Sequence, residues 1–239
     1  YRAGSKHDEA WFNQIQRPGI PVGLTGWEDS GAPAYREGNE FVVRVFPYVD
    51  PGQHYAETFG GDVAATQLFQ GDRLLAESTY AIGTYPALPG AADYRLVSRQ
   101  QRSAPWWTYS TDVTTAWTFR SAPASERKLL PLLQVEYNLD LDLLNRAPDD
   151  QIQAFIVDIG HQPGVDGPRI TSADTWASFD DGATWQRIFN ISLGSGKRLV
   201  VLRHPELADT SGAVSLRISA RDAAGNAIDQ TIIRAYGLR

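Results

Sequence analysis

Short segments in which apolar and polar residues alternate recur along this chain. The clearest spans residues 113–119, and the same pattern returns at 135–141 and 214–221. Because successive side chains of a β-strand point to opposite faces, each segment predicts a strand with one buried face. In the first segment the predicted buried face carries Val113, Thr115, Trp117 and Phe119.

Further strands are predicted by runs of apolar and β-branched residues that turn-forming residues separate. These runs lie at 41–46, 63–69, 73–78, 94–98, 129–133, 152–157, 198–203 and 228–236. The runs at 41–46 and 152–157 are almost continuously apolar, which favours strands covered on both faces. Residues 1–40 are dense in Gly and Pro, so they predict an irregular lead-in with at most one helical turn, at 8–16.

The stretch Ser178-Phe179-Asp180-Asp181-Gly182-Ala183-Thr184-Trp185 predicts a β-hairpin. Asp181-Gly182 supplies two residues that tolerate positive φ, as a type I′ turn requires, and extended residues flank the pair. Trp176 and Trp185 are both candidates for the central core aromatic, and periodicity does not choose between them. Near the end of the chain, Ile232-Ile233 breaks the alternation and predicts either a bulge or a strand covered on both faces.

The spacing of these segments predicts an all-β protein made of two tandem β-sandwich domains. The 239 residues provide enough length for two domains, and the small, polar segment 121–126 is the predicted linker. The first domain, 1–122, is predicted to be a jelly-roll-like sandwich that includes the irregular lead-in. The second domain, 127–239, is predicted to be an immunoglobulin-like or fibronectin III-like sandwich of about seven strands.

Charge and composition narrow the functional classes. The net charge of −6 makes nucleic acid an unexpected partner, because no basic field attracts a phosphate backbone. The absence of Cys excludes disulfides, thiolate metal sites and a cysteine nucleophile. No apolar run is long enough for a membrane helix, and no signal peptide opens the sequence. Because Met is also absent, we expect the sequence to be a fragment or a processed product.

Polar residues with metal-binding or catalytic potential are scattered. The histidines, His7, His54, His161 and His204, have no paired spacing that predicts zinc. The acidic pairs Asp140/Asp142, Asp149/Asp150 and Asp180/Asp181 leave a structural calcium open, but the usual calcium loop is absent. No other cofactor is expected. Gly194-Ser195-Gly196-Lys197 has the spacing of neither a serine elbow nor a phosphate loop, so it predicts a surface turn.

The pair Trp106-Trp107, with Tyr109 close behind, is the best candidate for a ligand or partner surface. Adjacent residues of a strand face opposite ways, so at least one indole ring is expected to point outward. An exposed indole can stack on a sugar or pack against a partner. The alternative is that both rings are buried against another part of the protein.

The pattern S-x-D-x-G-x-T-W at 178–185 resembles the Asp-box hairpin of sialidases and several other secreted β-proteins. In that motif the Asp and Ser side chains mostly bond the turn backbone, and the Trp packs beneath it. The resemblance therefore implies that the hairpin has a structural role.

Several stretches, taken in order, resemble the region that follows the catalytic domain in large secreted subtilisin-like serine proteases of actinobacteria. They lie at 106–111, 115–121, 130–137, 178–185, 220–226 and 230–236. The sequence lacks the contexts of the subtilisin triad, a His in H-G-T and a Ser in G-T-S-M-A. The resemblance thus implies a non-catalytic part of an extracellular protease.

Such a region is expected to stabilise or position the catalytic domain of the same polypeptide, or to hold substrate. A protein or glycan surface is a further expected partner. The alternative function is a carbohydrate-binding or adhesion module of an extracellular protein, which the Asp-box pattern and Trp106-Trp107 suggest. A glycoside hydrolase would need two carboxylates facing each other across a cleft, and no spacing in the sequence indicates them.

Overall fold

A computed structural model describes Gly4, residues 11–21 and residues 34–239. These residues form an all-β structure whose one helical element is a short 3-10 helix, Leu207–Asp209. The strands are β1 Arg17–Gly19, β2 Ala34–Glu37, β3 Glu40–Arg44, β4 Phe46–Val49, β5 Tyr55–Ala56, β6 Val63–Gln70, β7 Arg73–Ser78, β8 Ile82–Pro86, β9 Ala92–Gln101, β10 Asp112–Ser121, β11 Lys128–Leu129, β12 Leu133–Asn138, β13 Arg146–Ala147, β14 Ile152–His161, β15 Ile170–Ser178, β16 Gln186–Gly194, β17 Lys197–Arg203, β18 Ala213–Asp222 and β19 Ala227–Leu238.

The strands pair antiparallel, except that β13 runs parallel to β19. The largest sheet has the order β12-β14-β17-β16-β15-β18-β19-β10-β9-β6-β7, and smaller sheets have the orders β1-β4-β5 and β11-β2-β3-β8. β16 pairs with β15 through its first residues and with β17 from Phe189 onward. β16 thus connects two groups of strands, β12-β14-β17 on one side and β15-β18-β19-β10-β9-β6-β7 on the other. These groups form the two layers of an antiparallel β-sandwich.

The predicted segments 1–122 and 127–239 share this sheet. β10 of the first segment pairs with β19 of the second, from Asp112 opposite Ile233 to Thr118 opposite Ala227. One hydrophobic cluster contains buried residues of both segments. The division into two domains remains a prediction, but the hydrogen-bonded sheet does not stop at the linker.

The core is centred on aromatic residues that the hairpin does not supply. Trp117 is fully buried, and its indole Nε1 donates to the backbone oxygen of Leu133 across the core at 2.6 Å. Trp176 and Trp185 are only half-buried, so the prediction that one of them is the central aromatic is wrong. The small residues Thr175 and Ala177 take the inner face of β15, and Trp176 therefore points outward.

The alternation at 113–119 is confirmed, because all four residues predicted for its inner face are buried. The run at 152–157 is different: Phe155 and Val157 are buried, whereas Ile152 is 66 % exposed. β14 therefore has one covered face, and the prediction of two is wrong. An apolar run does not reveal how many layers cover it.

The beginning of the chain contains more strand than was predicted. β1 and β2 lie within the supposed irregular lead-in, and the run at 41–46 is divided at Val45 into β3 and β4. Residues 11–16 form no helical turn. The remainder of the predicted turn, 8–10, lies outside the described residues.

β15 and β16 form the predicted hairpin, and the φ angles of Asp181 and Gly182 are 55° and 89°. β16 begins at Gln186, so the loop spans 179–185 and is longer than the two-residue turn that the sequence predicts. Ser178 Oγ accepts from Gly182 N at 2.8 Å, and Trp185 Nε1 donates to Gly182 O at 3.0 Å. Side chains thus close the longer loop.

The break in alternation at Ile232-Ile233 is a bulge, one of the two predicted outcomes. Val214 lies opposite Tyr236, while Leu216 lies opposite Ile232. Arg234 in this bulge has a φ of 55°, and its Nη1 donates to both carboxylate oxygens of Asp181, at 3.1 and 2.9 Å. The tip of the hairpin is therefore fastened to the bulge of β19.

Candidate binding cleft

A cleft of about 390 Å³ opens beside Trp106 and Trp107. β4, the segment that follows β5 and the loop between β9 and β10 form its walls, and Phe12 enters from the segment before β1. Its aromatic and charged lining residues are Phe12, Tyr48, Glu57, Phe59, Asp62, Arg102, Trp106 and Trp107. The cleft is therefore mainly aromatic, with three charged residues among its walls.

The loop that carries the two tryptophans is held by backbone hydrogen bonds. Arg102 N donates to Thr111 O at 2.9 Å and so closes the base of the loop. Trp107 N donates to Ala104 O at 3.0 Å, which forms a turn within it. Ser110, which is fully buried, donates its N–H to Arg234 O at 2.7 Å. These bonds fix the loop against β19.

The floor of the cleft is an arginine held between two aromatic rings. Arg102 Cζ lies 3.8 Å from the ring centroid of Tyr48 and 3.6 Å from that of Trp107. The guanidinium also donates from Nη2 to the side-chain oxygen of Gln16. Burial lowers the pKa of Arg102 to about 10, so the side chain stays charged at neutral pH. A stacked, charged arginine gives the floor a rigid plane with positive potential.

Asp62 holds the neighbouring wall. Its Oδ2 accepts from the Tyr48 hydroxyl at 2.7 Å, and its Oδ1 accepts from Ser103 N at 3.0 Å. Burial, and then the hydrogen bond to Asp62, raise the pKa of Tyr48. The carboxylate is therefore used in fastening β4 to the loop that starts at Arg102.

Large apolar side chains stand exposed at the mouth of the cleft. Trp106 is 70 % exposed and Phe59 is 73 % exposed. Phe12 is 42 % exposed and meets the Trp107 ring edge to face, with 6.4 Å between the ring centroids. Exposed rings over a fixed floor are typical of a surface that binds a ligand or a partner.

The structure places two of the three residues singled out from the sequence in this cleft. Trp106 points outward, and Trp107 is half-buried under Arg102. Tyr109 lies elsewhere: its ring packs against the backbone of Gly237 on β19, so close that a Cβ there would clash with it. Tyr48, Phe59 and Arg102 were not foreseen, because they are distant in sequence and carry no local motif.

The other sequence candidates do not join this cleft. Among the described residues, no three His, Asp or Glu side chains come together as a metal site, so no ligand set for a calcium ion is found. The histidine partners are Asp50 for His54, Asp222 for His161, and Pro148 O with the Tyr236 hydroxyl for His204. His7 lies outside the described residues.

The acidic pairs mostly form hydrogen bonds or ion pairs that stabilise nearby turns and loops. Asp142 accepts from Leu144 N and Arg146 N, Asp149 accepts from Leu207 N, Asp150 contacts Arg203, and Asp180 accepts from Thr184 N. Gly194-Ser195-Gly196-Lys197 contains the turn between β16 and β17, as predicted. No helix within the described ranges is long and apolar enough to cross a membrane.

No protein-family model matches the chain, and no curated protein matches its sequence. A function is therefore inferred from the aromatic cleft and from the ordered sequence resemblance.

Proposed function

We propose that this chain is the non-catalytic accessory region of a secreted subtilisin-like serine protease. In this proposal the region stabilises and positions the catalytic domain of the same polypeptide. Its aromatic cleft holds an extended, apolar segment of a protein substrate. The origin rests on the ordered resemblance between residues 106 and 236, and the binding role rests on the cleft.

One observation carries the binding role: Trp106 is 70 % exposed at the mouth of a cleft whose floor is already fixed. Binding energy at protein surfaces concentrates in aromatic and arginine side chains. A preformed floor also lowers the entropy lost when a ligand binds. Two of the three charged groups are already engaged, because Asp62 holds Tyr48 and Ser103 and Arg102 holds Gln16.

The second candidate is a carbohydrate-binding or adhesion module. It is favoured by the same exposed ring of Trp106, because an indole face stacks well on the apolar face of a sugar. The two candidates differ in what covers the cleft. A peptide would pack side chains against Phe59 and Phe12, whereas a sugar would place one ring on Trp106.

Parallel peptide and glycan arrays separate the two candidates. We expect the intact chain to select peptides rich in aromatic, aliphatic or proline residues, and Trp106→Ala to lose that selection. Tyr80→Ala is the matched control, because Tyr80 is 77 % exposed and lies outside the cleft. Selection of glycans alone supports the second candidate, and selection of neither overturns a binding role for the cleft.

The proposed origin has its own test in the native coding sequence. We expect H-G-T and G-T-S-M-A contexts to be encoded upstream of Tyr1. A reading frame that starts near Tyr1 behind its own signal peptide would contradict the protease origin. Peptide hydrolysis by the purified chain alone would overturn the non-catalytic role.

A further inference from the structure

A second cavity, of about 370 Å³, lies far along the chain from the aromatic cleft. It is formed by the end of β14, the residues that lead into β15, and the turn between β16 and β17. Its polar side chains are His161, Arg169, Ser192, Ser195 and Arg198. No carboxylate is among its lining residues, although the whole chain has a net charge of −6. The cavity therefore concentrates positive charge in an acidic protein.

The two arginines of this cavity have no counterion within the described part of the chain. Arg169 is exposed and Arg198 is half-buried, and neither side chain forms a hydrogen bond or an ion pair there. Asp174 lines the adjoining cavity together with Arg198, but its carboxylate is paired with Arg187. A half-buried guanidinium without a counterion is unfavourable. An anion in the cavity would remove that penalty.

The walls of the cavity are set by close backbone packing. Gly196 has a φ of +80°, and a Cβ on it would lie 1.9 Å from Ile159 O. Ile159 N also donates to Gly196 O at 3.2 Å, which holds the β16–β17 turn against β14. Gly167 packs on the ring of His161, where a Cβ would approach within 2.3 Å of Cε1. These contacts fix the turn and the imidazole relative to each other.

His161 has an oriented ring. Its Nε2 lies 3.0 Å from Asp222 Oδ2. Burial raises the pKa of Asp222, but hydrogen bonds from Asn226 and His161 outweigh this and lower it below its ordinary value. The ionised carboxylate therefore accepts from Nε2–H. Asp222 is 2 % exposed, so its charge is used on His161 and Asn226 and does not line the cavity.

We propose that this cavity binds an oxyanion, meaning a sulfate, phosphate or carboxylate group of a ligand. The planar guanidinium groups of Arg169 and Arg198 match the paired oxygens of such groups. The hydroxyls of Ser192 and Ser195 supply further donors. This site is independent of the aromatic cleft, because the two cavities share no lining residue.

The test is titration calorimetry of the full chain with methyl sulfate, methyl phosphate and acetate, with chloride holding the ionic strength constant. We expect saturable binding of at least one of the three probes. The probe that binds most tightly identifies the class of group. Absence of saturable binding for all three overturns the proposal.

Two variants locate the site. Arg198→Gln and Arg169→Gln should each weaken binding by about tenfold or more, since each removes charged donors. Arg73→Gln is the matched control, because it removes the same charge from an exposed position on β7. Equal loss in Arg73→Gln would show a non-specific charge effect and overturn the site.

The variants also separate this site from the proposed function. Trp106→Ala should bind the oxyanion normally. A negative result for the aromatic cleft therefore does not count against the oxyanion cavity, and the reverse also holds. Arg169 is exposed, which makes Arg169→Gln informative even where Arg198→Gln disturbs folding. Without a probe, Arg198→Gln should melt at the same temperature as the parent chain or higher, because it removes an unpaired charge. A large fall in the melting temperature of both variants would mark the arginines as structural and contradict the proposal.

Discussion

Arg102 illustrates how a charged residue can form the floor of a mainly aromatic cleft. Its guanidinium is flat, so both faces can contact the rings of Tyr48 and Trp107 while the edge donates to Gln16. A lysine ammonium lacks that plane and could not stack on both rings. In the proposed function, the positive charge on the floor would attract the carbonyl groups of a bound peptide.

At the residue scale, the carboxylate of Asp180 is expected to make the stability of the folded protein depend on pH in the acidic range. Hydrogen bonds from the Ser178 hydroxyl, the Thr184 hydroxyl and Thr184 N lower its pKa from 3.8 to about 2. A carboxylate whose folded-state pKa is lowered contributes stability above its unfolded pKa, and that contribution is lost as the pH falls through the folded value.

We therefore expect the stability difference between the parent chain and Asp180→Asn to be constant above about pH 5. The difference should shrink as the pH falls from about 4 toward 2, because only the parent chain takes up the proton. Chemical denaturation at a series of pH values measures it. A difference that stays unchanged down to pH 2 would contradict the role of the ionised carboxylate.

At the scale of elements, the hairpin tip and the bulge of β19 form one unit. Gly182 has a φ of +89°, and a Cβ on it would lie 2.7 Å from Ile233 Cδ1. Asp181 adds the ion pair with Arg234 Nη1, whose two side chains are partly exposed, so the pair is worth about 1 kcal/mol or less. Packing at the glycine therefore matters more than the ion pair.

Gly182→Val should be more destabilising than a valine at a glycine with nearly the same positive φ but open space. Gly194, with a φ of +87° and no neighbour within 4 Å, provides that control. We expect Gly194→Val to cost about 1–2 kcal/mol from its backbone conformation alone. The clash should add about 1–3 kcal/mol in Gly182→Val. Equal losses in urea denaturation would show that the contact with Ile233 is unimportant.

The elements that local chemistry determines were predictable. Alternation identified β10, and Asp181-Gly182 identified the turn with positive φ. Tertiary contacts decided the rest. The sequence predicts that both faces of β14 are covered, because its outward side chains, such as Ile152, are apolar. In the structure no layer covers that outward face. The length of the hairpin loop depends on Ser178 and Asp180 bonding distant parts of the turn, which residue spacing alone does not show.

At the scale of the whole molecule, the sheet continues across the predicted domain boundary. β10 lies between β9 and β19, and Trp117 on β10 donates to Leu133 of the second segment. The boundary was predicted at 121–126 because the residues there are small and polar. Non-local strand pairing leaves no signature in a linker, so this continuity could not be foreseen.

A shared sheet and core should make the two segments unfold together. We expect one calorimetric transition for the parent chain. Trp117→Ala should lower its stability by about 3–5 kcal/mol while the transition stays single. Tyr80→Ala, a change at an exposed aromatic, should leave the transition almost unaltered. Two transitions, of which only one moves in Trp117→Ala, would instead support two independent domains.

The aromatic cleft was predictable only in part. Trp106 and Trp107 stand out in the sequence as adjacent indoles, and Trp106 does point outward. The pair lies in the loop between β9 and β10, however, so the strand alternation from which this was expected does not apply. Tyr48, Phe59 and Arg102 reach the cleft through the fold. Their convergence depends on β4, the segment after β5 and the loop after β9 coming together in the fold, which no single stretch of sequence encodes.

The most direct test of the proposed function is titration calorimetry with the best peptide from the array. The parent chain and Tyr80→Ala should bind it with the same Kd. Trp106→Ala should bind roughly 30-fold more weakly, which corresponds to the loss of about 2 kcal/mol expected when a tryptophan that the ligand covers is removed. An unchanged Kd in a folded Trp106→Ala variant would contradict the assignment of the cleft as the binding site.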